Sequence, residues 1–215
     1  MASESASAVA RARRSSAVLS AYFQRLLTPP LPGDGLLFFG FAEGVLGWGL
    51  SWLFQQNPGL APFGLVESIV LLWVVLTVGI VFVGVTYTAP TVRRNRVWVV
   101  WGALNVAATA VNLLALTRLL PADVVVYAYW QPWFVVLGVG YLVTALYNWE
   151  SPQLRRQERV VYALAGVTAL GVLAASFGPL TGAVFGNVFL IGAALQLTPI
   201  GHDVLADAIL IARQQ

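Results

Sequence analysis

The chain has 215 residues, of which 59% are hydrophobic and only 10% charged, whereas soluble domains carry about 25% charged residues; with a mean hydropathy of +0.78, this is the composition of an integral membrane protein. Cysteine is absent, all twelve basic residues are Arg, and His202 is the single histidine; this excludes disulfides, thiolate metal centres, Schiff-base lysines, P-loops, bis-histidine haem and the HExxH zinc site, so no cofactor or metal is expected. The net charge of +3 does not point to nucleic acid, because the Arg residues are dispersed over loops rather than gathered on one basic face.

Residues 1–30 begin Ser/Ala-rich and then place Val18, Leu19, Tyr22, Phe23 and Leu26 on one helical face beside Arg14 and Arg25. That pattern suits an amphipathic helix lying on the inner leaflet, or alternatively a cytosolic tail. It does not read as a signal peptide, since Gln24 and Arg25 interrupt a short apolar stretch.

Crossing the hydrocarbon takes about 20 apolar residues as helix, and residues 31–201 offer six such windows. They run from Leu36 to Gln56, Leu65 to Thr88, Val97 to Leu119, Val124 to Asn148, Val160 to Phe177 and Thr181 to Gly201. Helix-ending chemistry separates them: Asn57-Pro58-Gly59, Ala89-Pro90, Pro121, Ser151-Pro152, Gly178-Pro179 and Pro199. Pro132 sits inside the fourth window, where it would free a carbonyl and kink the helix. Residues 202–215 read as a short cytoplasmic helix too brief to cross, with Asp203 near its N-terminus, where negative charge is favoured.

The Arg residues set the orientation. Arg11, Arg13, Arg14 and Arg25 precede the first window, Arg93, Arg94 and Arg96 follow the second, Arg155, Arg156 and Arg159 follow the fourth, and Arg213 ends the chain. The alternate loops hold only Arg118 and Asp123. The positive-inside rule then puts both termini in the cytoplasm. The expected fold is all-α: a polytopic bundle of six transmembrane helices in the cell membrane.

The first window carries one charge, Glu43, seven residues from its inner start, which is roughly 10 Å deep at 1.5 Å per residue. Asn105, Tyr141 and Gln196 fall at about the same depth on the third, fourth and sixth helices, with Asn112 and Asn187 at a second level farther out. Gly40, Gly44, Gly47 and Ser51 share the stripe of Glu43, so the carboxylate turns toward other helices. Polar and small residues on one face serve interhelical packing, but an intramembrane carboxylate marks a functional site by default. Glu43, Asn105, Asn112, Tyr141 and Gln196 are therefore the candidate ligand- or ion-binding residues, with Asn105, Tyr141 and Gln196 expected to hydrogen-bond Glu43.

Aromatic residues form a second constellation. Trp98, Trp101 and Trp149 lie at cytoplasmic ends, as interfacial anchors do. Trp48, Trp52, Tyr127, Trp130 and Trp133 gather in the outer halves of the first and fourth helices, either as an interfacial belt or as a pocket for a flat apolar or cationic ligand. Gly178, Gly182 and Gly186 recur every four residues, a series that admits close packing against the fifth or first helix or against a second copy of the chain. Six spans with a serine and a histidine call for the GxSG motif of rhomboid proteases, which is missing, and Ser176 with His202 does not replace it. No enzyme is expected. The residues favour a carrier or channel for a small solute or ion, the alternative being a non-catalytic membrane subunit or scaffold that binds lipid or partner helices.

Overall fold

The computed structural model describes residues 16–147 and 155–213. Arg11, Arg13, Arg14, Asn148, Trp149 and the Ser151-Pro152 break lie outside them. Among the described residues the protein is all-helical. Residues 16–27 form α1, followed by α2 (Gly33–Gln56), α3 (Leu65–Tyr87), the single turn α4 (Pro90–Arg93) and α5 (Arg96–Leu116). A second single turn, α6 (Ala122–Val125), leads to α7 (Gln131–Leu146), α8 (Arg156–Ala175) and α9 (Thr181–Arg213).

Five helices, α2, α3, α5, α8 and α9, are long and apolar enough to cross a membrane. The expected fourth span is shorter than its apolar window: α7 has 16 residues, about 24 Å of helix against roughly 30 Å of hydrocarbon. Pro132 does not kink it, because Pro132 lies in its first turn, where the missing N–H has no intrahelical partner to lose. The sixth window and the expected separate C-terminal helix are instead one helix of 33 residues with Pro199 inside it. Its far half is held by side-chain contacts: Asp203 accepts from Tyr162 of α8, Asp207 from Arg155, and Ala208 packs on Tyr22 and Leu26 of α1.

The six apolar helices close into a ring in chain order, α2 against α3, α3 against α5, α5 against α7, α7 against α8, α8 against α9, and α9 back against α2. Short loops make sequence neighbours spatial neighbours in this way. The start of α2 and the end of α3 are tied where Leu31 N donates to Tyr87 O at 2.7 Å and Ala89 N to Leu31 O at 3.1 Å. The Arg155–Asp207 pair at 2.7 Å ties the start of α8 to the end of α9. Outward faces carry apolar side chains such as Val75, Val78, Leu164 and Val167, all more than half exposed, as a lipid-facing surface requires.

The backbones of α7 and α8 approach closely, where a Cβ at Gly166 would meet the Gly138 carbonyl at 2.9 Å. The Gly178, Gly182 and Gly186 series does not pack closely against the first or fifth helix as expected, since a Cβ at Gly182 or Gly186 would meet nothing within 4 Å among the described residues. Those two glycines face away from the ring.

Candidate functional site

The small-residue stripe of α2 points into the ring as its spacing predicts. A side chain at Gly44 would strike the Gln196 amide at 2.8 Å and one at Gly47 the Trp73 ring at 2.6 Å, while Ser51 is fully buried and accepts from Trp73 Nε1 at 3.2 Å. Glycine is required here because indole and amide groups from α3 and α9 occupy the space a larger residue would fill. The same face carries Glu43 inward, to 8% exposure.

Glu43 lines a cavity of about 70 Å³ together with Asn105, Tyr141, Gln196, Trp101 and Tyr162. That is room for more than one water, which needs only about 10–15 Å³ measured in the same way. The four residues that the depth count puts at one level therefore line one cavity. Their bonding differs from the expectation. Tyr141 Oη donates to the Gln196 carbonyl at 2.8 Å, Gln196 Nε2 donates to the Gly40 carbonyl at 3.0 Å, and Gln196 Oε1 accepts from Trp48 Nε1 at 2.7 Å. Asn105 Nδ2 donates to the Trp101 carbonyl of its own helix at 2.9 Å. These groups brace α2, α7 and α9 against one another, and Glu43 Oε1 is buried without a hydrogen-bond partner among the described residues.

Two further residues of the cavity were assigned no such role by the sequence. Trp101 is not merely an interfacial anchor: its Nε1 donates to Thr144 Oγ1 at 2.9 Å, and its ring stands edge-on to Tyr141. Tyr162 stacks at 5.5 Å on Tyr141 and donates to Asp203 Oδ2 at 2.8 Å. Asp203 is only 4% exposed. It is thus a mid-helix acceptor for α8 rather than a helix-start residue. The carboxylates of Glu158, Asp203 and Asp207 lie within 4.8 Å of one another, and Arg155 bridges Glu158 and Asp207. Burial, reinforced by Asp34, pushes the nearby Tyr22 phenol up, and its hydroxyl is buried without a partner among the described residues.

Asn112 belongs elsewhere. Its Nδ2 donates to the Ala128 carbonyl at 2.5 Å and the Tyr129 carbonyl at 2.8 Å, and its Oδ1 accepts from Trp133 Nε1 at 2.8 Å. Both of its donors and one acceptor site go into pinning the chain that leads into α7, where the helix begins late. Asn187 is exposed and donates to Ala183 of its own helix.

The expected aromatic pocket is present in part. A second cavity, of about 200 Å³, is lined by Trp48, Trp130 and Trp133, and also by Trp73, Phe185 and Phe189. Trp52 and Tyr127 are not on its wall; they are 39% and 43% exposed, Tyr127 standing against Phe177 instead. Trp48, Trp73 and Trp133 line both cavities, with ring centroids 4.9 Å apart for Trp48–Trp73 and 4.4 Å for Trp73–Trp133. Three indoles therefore separate the Glu43 cavity from the second one. Ser176 donates to Leu173 of its own helix, and it ends α8 at the opposite end of the bundle from His202.

No protein-family model, curated protein or solved structure matches the chain.

Proposed function

We propose that this protein is a membrane carrier or channel for a small solute or ion, with Glu43 as the carboxylate that meets the permeating species. One observation carries the reading: a buried carboxylate, with Oε1 unpartnered, on the wall of a cavity large enough for water. A buried carboxylate is costly unless it is neutralised, either by a proton or by a cation. Exchange of one for the other at Glu43 is the mechanism this arrangement supports.

In this reading all six ring helices cross the bilayer, α7 as a short span, and the end carrying Arg25, Arg93, Arg96 and Arg155 is cytoplasmic. Tyr162 and Asp203 give protons a route from that end. A protonated Asp203 gives its proton to Tyr162 Oη as Tyr162 releases its own into the cavity, and Asp203 is recharged by way of Asp207, which is a third exposed and pairs with Arg155. The second reading, a membrane subunit or scaffold, draws support from Asn112 and Gln196, whose amides are spent on packing.

Vesicles loaded with pyranine divide the two. The wild-type protein should move protons against imposed gradients of Na⁺, K⁺ or ethylammonium, and Glu43→Gln, which keeps the shape but cannot titrate, should fold and lose that flux. Undiminished pH-dependent flux in a well-folded Glu43→Gln would remove Glu43 from the mechanism, and absence of flux in the wild type would favour the scaffold.

A further inference from the structure

We propose that the second cavity is a binding site for a neutral, flat, membrane-soluble ring compound bearing a carbonyl oxygen. This does not depend on transport through the Glu43 cavity. Size comes first: the cavity is about 200 Å³, and an apolar cavity of about 150 Å³ holds benzene. Shape comes next. The faces and edges of Trp48, Trp73, Trp130 and Trp133, with Phe185 and Phe189, make the wall, and aromatic walls favour stacked or edge-on rings.

The polar groups decide the chemistry of the occupant. Trp48 Nε1 is committed to Gln196, Trp73 Nε1 to Ser51, Trp133 Nε1 to Asn112, and the Asn112 amide to two carbonyls. Gln55 and Tyr129 also line the cavity but are only partly buried, and among the described lining residues the one buried side-chain polar atom without a partner is the donor Nε1 of Trp130. An unpaired buried donor calls for an acceptor. A cation brings none, and no carboxylate lines the wall to offset its charge. An anion would accept the bond but would find no Arg there, and burying a lone charge is costly. A neutral carbonyl satisfies the donor at no such cost.

Acetophenone and cumene have nearly the same shape and differ in the acceptor oxygen, so they separate the polar contact from apolar filling. Ligand-observed NMR on the detergent-solubilised protein should show saturable binding of both, with acetophenone tighter by about three- to tenfold, the worth of one net hydrogen bond. Trp130→Phe keeps a ring but removes the donor; it should weaken acetophenone to the level of cumene and leave cumene unchanged. Val188→Phe, which fills the cavity from α9, should weaken both. Equal affinities in the wild type, an acetophenone preference that survives Trp130→Phe, tighter binding of benzyltrimethylammonium, or no saturable binding of any of the three would each overturn the proposal.

Discussion

Asn112→Leu separates a structural from a ligand-binding role for the deeper amide on α5. The substitution keeps the side chain's size and removes three hydrogen bonds, to the carbonyls of Ala128 and Tyr129 and from Trp133 Nε1. Asn112 is 2% exposed, as is Ala128, and Trp133 is 4% exposed. Bulk solvent therefore does not reach Ala128 O or Trp133 N–H directly, although Trp133 lines both cavities, whereas the half-buried Tyr129 can rehydrate. A buried polar group left unpaired costs about 1–3 kcal/mol, and interhelical hydrogen bonds in membranes average about 0.6 kcal/mol with a maximum near 1.7. Two stranded groups then give a loss of about 2–6 kcal/mol, toward the lower end if the turn before α7 relaxes or if water in the adjoining cavity reaches Trp133 N–H. The assay is unfolding in mixed micelles by increasing SDS fraction, followed by tryptophan fluorescence. Asn187→Leu, at an exposed position bonded only within its own helix, is the control and should change stability by less than about 0.5 kcal/mol. An Asn112→Leu protein as stable as the control, but altered in vesicle flux, would refute the structural assignment and return Asn112 to the ligand-binding set.

Gly47→Leu drives a side chain into the Trp73 ring and should cost about 1–3 kcal/mol in the same titration, whereas at Gly182 a Cβ meets nothing within 4 Å among the described residues and Gly182→Leu should be neutral; a destabilised or smaller-eluting Gly182→Leu would mean that this face packs against a second copy. Because the chain has no cysteine, single cysteines can report its orientation: Gly59→Cys and Asp123→Cys should react with an impermeant maleimide from outside the cell, and Asn95→Cys and Gln157→Cys only after lysis. The opposite pattern would invert the orientation. Arg155→Ala removes the cation between Glu158 and Asp207 and should cost about 1–3 kcal/mol, held to that range because the Arg155 side chain is itself a third exposed; unchanged stability would show that solvent already neutralises the carboxylates.

The fold was legible where burial follows from composition. Long apolar windows bounded by Asn-Pro-Gly and Ala-Pro became α2, α3 and α5 to within three residues at each end, since local chemistry decides where a helix in lipid can end. It was less legible where distant contacts decide. The run from Val124 is apolar enough to cross, but Asn112 captures the Ala128 and Tyr129 carbonyls, and helix resumes only at Gln131. Pro199 looks like a terminus, yet the helix continues because Tyr162, Arg155 and α1 hold its far half. Neither contact leaves a periodic trace in the sequence.

The site divides in the same way, between depth and rotamer. Rise per residue fixes depth, so counting from the Arg-rich ends placed Glu43, Asn105, Tyr141 and Gln196 on one cavity wall. Which group satisfies which depends on side-chain direction, and that is set by packing across helices. Gly44 leaves room for the Gln196 amide to lie against α2, where Trp48 and the Gly40 carbonyl take both of its ends. Tyr141, reaching the same stretch of α9, finds the Gln196 backbone carbonyl rather than a side chain. The glycines that turn Glu43 inward are thus the reason the Gln196 amide is already engaged, while Asn105 is bonded within its own helix. A carboxylate needing only structural neutralisation would gain most from those amides and that hydroxyl. Their commitment to the backbone and to Trp48 leaves Glu43 Oε1 to whatever occupies the cavity, and so favours an exchangeable partner over a fixed one.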